Sequence, residues 1–129
     1  KNIDLLTPTE REARVSTRDQ ESGLVVLAEA VRSNALVSKV LLKLGGEGLL
    51  IHSGKKSSQG WETDRIDALN QTPKDVAGAG DSMLVISAMA LSLGCSIWEA
   101  AYLGSVAAAI QVGRVGNIPL DETQLVKML

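Results

Sequence analysis

The residues in this chain whose types and spacing could do chemistry run Asp75-Val76-Ala77-Gly78-Ala79-Gly80-Asp81-Ser82, and an apolar stretch, Met83 to Leu93, follows at once. Two glycines around one alanine, then a run of helix formers, describe a glycine loop that opens a helix. Glycine lets a ligand approach backbone that carries no Cβ. The first turn of a helix presents N–H groups its own carbonyls cannot reach, backed by the positive end of the macrodipole. Loop and helix start together suit an anion such as phosphate. Asp81 is a carboxylate at the same place, and two readings stand. It caps the helix, or it accepts a proton beside a phosphate held by the N–H groups of Ala79, Gly80 and Asp81, as phosphoryl transfer to an alcohol requires.

Other chemistries fit less well. A Walker loop needs lysine and a hydroxyl residue after its last glycine, where Asp81 and Ser82 stand. The dinucleotide fingerprint needs glycine or alanine at the position of Met83. His52 is the only histidine and lies in a predicted hairpin strand, a weak basis for a nucleophile–histidine pair. Cys95 is the only cysteine, so an internal disulfide and a cysteine zinc site are excluded, and its apolar neighbours predict a small core residue. The formal net charge of −2 argues against a nucleic-acid binder. The apolar stretch from Met83 to Leu93 is too short to span a bilayer. No secretion signal is visible, and a reducing, cytoplasmic setting is expected.

The elements that must position this loop follow from pattern. With 129 residues and 45% hydrophobic composition the chain reads as one globular domain, its core aliphatic because Phe is absent. Ile3 to Leu6 reads as a strand ended by Thr7-Pro8. Thr9 and Glu12 have capping-box spacing, so a helix starts there, placing Glu10 and Glu12 at the end of the strand. Glu21 to Asn34 has helical periodicity. Lys39 to Leu44 and Leu49 to His52 read as strands around a Gly45–Gly48 turn. The strand–helix–strand order points to an α/β fold with a mainly parallel sheet. Ser53 to Gly60 reads as a surface turn, and Trp61 to Leu69 as one or two edge strands. Ser82 to Leu93 reads as a helix buried on most faces. Ser96 with Glu99 starts a helix over Ile97 to about Val112, and Asp121 caps a last helix with Leu125 and Met128 inward.

The loop closely resembles the C-terminal signature D-T-x-G-A-G-D-x-F of the ribokinase-like (PfkB) carbohydrate kinases. Three more landmarks stand in order. Thr7 to Glu12 resembles the family's N-x-x-E segment, Leu44 to Gly48 its L-G-x-x-G turn, and Ser105 to Gly116 its alanine-rich helix and exit loop. Within the family the resemblance leans toward the D-glycero-D-manno-heptose 7-phosphate kinases. It implies a ribokinase-like layered α/β/α fold and transfer of phosphate from ATP to a hydroxyl of a sugar or sugar phosphate. Asp81 would be the catalytic base, and Gly78, Ala79 and Gly80 the anion hole. Glu12 would organise Mg²⁺ indirectly, through its waters. Gly45 and Gly48 would flank the nucleotide, with Ser105 and Ala108 in the wall around the adenine. Asp75, Ala77, Val112, Val115 and Gly116 match positions that hold a monovalent cation, K⁺ for example.

The chain departs from that pattern in places. Thr9 replaces the family asparagine, which would alter the Mg²⁺-linked network. Val76 and Ala77 replace hydroxyl residues, and Met83 an aromatic. Lys43 stands where a hydroxyl residue often contacts phosphate, and it either contacts phosphate itself or is solvated. Family members are more than twice as long. The resemblance thus implies that residues 1–129 are the nucleotide-binding C-terminal portion, without the N-terminal substrate and lid portion. Alone they would bind nucleotide weakly and not turn over sugar. A homodimer is open to a chain with an aliphatic face. The rival expectation is a non-catalytic nucleotide-binding or regulatory module of the same fold.

Overall fold

A computed structural model describes residues 3–70, 77–113, 119 and 121–129. The order of elements is β1 (Ile3–Leu6), α1 (Glu10–Thr17), α2 (Leu24–Ala35), β2 (Val37–Lys43), a 3₁₀ turn (Gly45–Glu47), β3 (Leu49–Ser57), β4 (Gly60–Ile66), α3 (Ala79–Ser92), α4 (Ile97–Val112) and α5 (Glu122–Met128). The fold is α/β, as the pattern predicts. Where length suggests one domain, the chain divides into two compact units, Lys1–Asp67 and Ala68–Leu129.

In the first unit the strands lie in the order β1-β2-β3-β4. β1 and β2 are parallel, with Leu5 beside Lys39 and Leu6 beside Val40, while β2–β3 and β3–β4 are antiparallel. The expectation of a mainly parallel sheet is therefore corrected for the described strands. Only the β1–β2 crossover, with α1 and α2 in it, is long enough for a parallel return; the turns after β2 and β3 admit only hairpins. Val40 and Leu42 project by strand alternation into a core with Ala13, Leu27, Ala28, Val31 and Leu50. That core explains the apolar spacing of α2.

β3 is longer than expected. It continues through Ser57 into a tight turn and β4, so residues 53–57 are strand rather than surface turn. The alternation there is hidden by a bulge between His52 and Lys56. Gly54 sits in the irregular stretch with φ +75°, and a Cβ on it would collide with the Ser38 carbonyl. His52 is fully buried and structural. Its Nε2 meets Glu29 Oε2 at 2.6 Å, and its ring lies edge-on to Trp61 at 5.3 Å. Arg32 also grips Glu29, through Nε at 2.7 Å and Nη2 at 2.8 Å, so one carboxylate ties α2 to β3. The Arg32 guanidinium, followed by the His52 contact, holds that carboxyl below the usual range against the opposing effect of burial.

In the second unit α3 packs against α4 at Gly104. A Cβ there would stand inside contact distance of Ser87 Oγ and 3.1 Å from the Met83 carbonyl. Ser87 is buried and donates to the Ala100 carbonyl at 3.0 Å. α3 is not buried on most faces. Met83, Ser87 and Ala90 form its inner side, whereas Leu84, Val85 and Met89 are exposed. An all-apolar sequence carries no periodicity from which the inner face could be chosen. Cys95 is only partly buried, in the turn after Gly94. Met128 is 46% exposed, so the inward placement expected for it is corrected too. A helix of two turns buries little of either side. Among the described residues no helix is long and apolar enough to cross a membrane.

The α3–α4 contact yields a test. Gly104→Ala forces a methyl group against backbone and is expected to lower unfolding stability by about 1–3 kcal/mol, read from denaturant midpoints. Stability equal to that of the unsubstituted chain would show that the helices do not meet at Gly104.

Candidate active site

The second unit carries the glycine loop. Gly78 is the N-cap of α3 in the left-handed conformation, φ 77° and ψ −3°, which glycine adopts without steric cost. The Ser82 N–H reaches the Gly78 carbonyl at 2.9 Å and closes the first helical turn. The N–H groups of Ala79, Gly80 and Asp81 precede that bond and have no partner within the helix. Among the described residues no side chain caps this helix. Asp81 stands in the first turn and is exposed, so the capping role open to it in sequence is not the one it takes. Contrast α1, α4 and α5, whose first turns are closed by Thr9, Ser96 and Asp121.

α4 holds Ser105, Ala108 and Val112. Ser105 is buried, while Ala108 and Val112 are partly so. Ser105 and Ala108 are one turn apart and share a side of the helix. Ala77 is exposed before the loop. Asp75, Val115 and Gly116, from the expected monovalent-cation set, lie outside the described residues, as does Val76.

The first unit carries the rest. The Lys43 N–H donates to the Pro8 carbonyl at 2.8 Å, and Lys43 bridges Thr9 in parallel, which extends the β1–β2 pairing to the start of α1. Glu12, Lys43 and the turn of Gly45 and Gly48 therefore gather at one sheet edge, where strands of open α/β sheets end and ligands bind. The Thr9–Glu12 capping box is complete. Thr9 N–H donates to Glu12 Oε2 at 2.8 Å, and Glu12 N–H to Thr9 Oγ1 at 3.1 Å. These bonds from Thr9, with a smaller contribution from the Lys43 charge, hold the Glu12 carboxyl below its usual range. Gly45 and Gly48 have φ of 60° and 94°, and the turn is closed by Leu44 N–H to the Gly48 carbonyl at 2.8 Å.

Arg65 is a contributor that sequence reading missed. From β4 its Nη2 reaches the Glu47 carbonyl at 3.3 Å and the Glu47 carboxylate at 3.4 Å, bracing the glycine turn. Its only sequence signal was an opposite charge eighteen positions away, meaningless until the β3–β4 register places Arg65 beside Leu50.

Among the described residues no three acidic, histidine or cysteine side chains gather as a metal cage. Glu12 is an exposed single carboxylate, kept ionised. That suits Mg²⁺, which keeps several waters and leans on one or two carboxylates plus phosphate oxygens.

Comparison with known proteins shows the family and the fold. The family model for pfkB family carbohydrate kinases matches residues 1–124. The chain belongs to that family. A bifunctional protein HldE from Desulfatibacillum aliphaticivorans is 33% identical over 129 residues, covering 97% of this chain and 25% of its relative. Ribokinase from Thermotoga maritima superposes with a TM-score of 0.76 at 28% identity, over 97% of this chain and 41% of that one. Arabidopsis thaliana ribokinase, solved with ribose and ATP, gives 0.78 at 26% identity, over 98% and 40%. This family member thus spans about a quarter of the length of the curated relative and about two fifths of the solved ones, and its fold is ribokinase-like.

The capping box yields a pH prediction. A carboxyl lowered in the folded state adds stability that is fully present above its unfolded pKa and is lost as pH falls through the folded one. The stability gap between the unsubstituted chain and Glu12→Ala is therefore expected at neutral pH and to shrink below about pH 4. Urea midpoints for both chains at neutral and acid pH measure it. A gap unchanged by acid would mean that the Glu12 charge does not hold the cap.

Proposed function

We propose that this chain is the nucleotide-binding, C-terminal portion of a sugar kinase that moves the γ-phosphate of ATP to a hydroxyl of a sugar or sugar phosphate. The observation that carries the reading is the start of α3. Gly78 turns the backbone so that three open N–H groups and the exposed Asp81 carboxylate share one helical turn. Those N–H groups would stabilise charge gathering on the transferred phosphate. Asp81 would orient the sugar hydroxyl and accept its proton as the new P–O bond forms. The leaving diphosphate departs on the opposite side.

In the first unit, the Gly45–Gly48 turn would lie along the nucleotide. Glu12, with Mg²⁺ held through water near the phosphates, would keep the metal-linked end of the site in place. Mg²⁺ when bound offsets phosphate charge. In the second unit Ser105 and Ala108 would contribute to the adenine pocket. The monovalent-cation assignment goes with this reading, with Ala77 and Val112 as its members among the described residues.

Ribose and ATP in the Arabidopsis relative, at 26% identity, support a nucleotide and a sugar as ligands. Relatives named HldE, together with the sequence resemblance, favour a heptose 7-phosphate as acceptor. The chain spans 25% of that relative, and most of the acceptor contacts other than Asp81 are assigned to residues of the intact protein outside this chain. The 129 residues alone are expected to bind nucleotide without turning over sugar.

One observation favours a second reading. Thr9 stands where the family has asparagine, and the Glu12 carboxylate is already engaged by the Thr9 N–H. A non-catalytic nucleotide-binding module would tolerate that. Calorimetric titration with Mg·ATP followed by a transfer assay on a panel of sugar phosphates separates the two, since binding without transfer by the intact protein supports the module.

The base is tested by Asp81→Asn in the intact protein. Transfer is expected to fall by about 10²- to 10⁴-fold, with ATP affinity retained or raised, because the amide keeps the shape and removes a negative charge beside the phosphate. Near-normal turnover would remove Asp81 from the role of base.

A further inference from the structure

The Gly45–Gly48 turn is loose by composition. Gly45, Gly46 and Gly48 are three of its four residues, and glycine has more backbone freedom to lose than any other residue. Its backbone bonds join the turn only to its own ends. Leu44 N–H donates to the Gly48 carbonyl at 2.8 Å, Gly48 N–H to that of Gly45 at 3.1 Å and Glu47 N–H to that of Leu44 at 3.2 Å. A Cβ placed on Gly45 or Gly46 would meet no neighbour within 4 Å, so packing does not steady them. Among the described residues, one side chain from outside the turn donates hydrogen bonds to it. Arg65 Nη2 reaches the Glu47 carbonyl at 3.3 Å and Glu47 Oε2 at 3.4 Å.

The sheet builds that reach. Leu49 pairs with Ile66 and Leu50 with Arg65, so β4 is in step with the residues that leave the turn. The Arg65 N–H is itself held by Asp64 Oδ1 at 2.7 Å. As an ion pair the contact is weak, since the Arg65 side chain is 44% exposed and that of Glu47 75%. Its value lies in the Glu47 carbonyl, a main-chain atom of the turn itself. We propose that Arg65 is a positioning residue for the nucleotide: by holding that carbonyl it keeps the glycine turn in its binding shape, and the carbonyl contact matters more than the charge pair. This rests on the reading above that the turn lies along the nucleotide. Arg65 then acts without touching the ligand. A turn already ordered loses less freedom on binding, so the brace shows in affinity and not in the chemical step.

Hydrogen exchange over residues 44–48 of the ligand-free intact protein, with calorimetric Mg·ATP affinity and kcat at saturating ATP, tests this. Arg65→Ala is expected to speed exchange in the turn but not in β2 or α2. It should weaken ATP binding by about two- to fivefold and leave kcat within about twofold. Glu47→Gln removes the carboxylate but keeps the carbonyl, and should cost less than about twofold in affinity; combined with Arg65→Ala it should add no further loss. Arg65→Lys keeps a donor for the carbonyl and should recover part of the affinity. Exchange unchanged in Arg65→Ala would show that the turn needs no brace, and faster exchange with ATP affinity unmoved would show that the brace does not serve the ligand. Either overturns the proposal, as does a loss in Glu47→Gln equal to that in Arg65→Ala, which would assign the effect to the charge pair. If the unsubstituted protein did not bind Mg·ATP, the nucleotide reading would fall and take the ligand half of the proposal with it, whereas unchanged exchange overturns the brace by itself.

Discussion

A helix starts with backbone donors that its own turns cannot satisfy, and this chain answers that constraint differently at each helix. α1, α4 and α5 close their first turns with a hydroxyl or a carboxylate, from Thr9, Ser96 and Asp121. α2 and α3 begin at glycines that offer no side chain. Of these two, only α3 has a left-handed glycine at its start and an acid in its first turn. Donors left open at a turn that glycine alone adopts readily, beside a carboxylate that does not cap them, form the most anion-ready backbone among the described residues. The function proposed here follows from that unsatisfied start.

The first unit spends its interactions on rigidity. Parallel pairing of β1 with β2, continued by the Pro8 and Thr9 contacts to Lys43, fixes α1 beside the end of β2. The core of Leu27, Val40, Leu42 and Leu50 holds α2 on the same sheet. The Arg32–Glu29–His52 cluster adds a polar tie across α2 and β3, with Trp61 packed against it. Its buried His52 Nδ1 has no hydrogen-bond partner among the described residues, a cost that the remaining contacts outweigh. The glycine turn after Lys43 is thus mounted on a stiff frame and braced by Arg65.

What could be read from sequence was what local chemistry determines. The capping pairs Thr9–Glu12 and Ser96–Glu99, the cap at Asp121 and the Gly94 stop all depend on residues within a few positions, and the structure carries them. So does the glycine loop at Gly78. What escaped depends on partners distant in sequence. The extension of β3 past His52 is masked by a bulge and needs β4 beside it. The inner face of α3 is set by Gly104 and Ala100, invisible in a run where every residue is apolar. The brace from Arg65 exists only once the register is known, and the parallel character of the sheet is limited by two hairpins.

The most direct measurement is of the amides themselves. In ¹⁵N-resolved spectra of the chain titrated with Mg²⁺ and a non-hydrolysable ATP analogue, saturable shifts are expected at Ala79, Gly80 and Asp81, with slowed solvent exchange at these three N–H groups. Shifts confined to other parts of the chain, with these amides unmoved at saturation, would contradict this expectation.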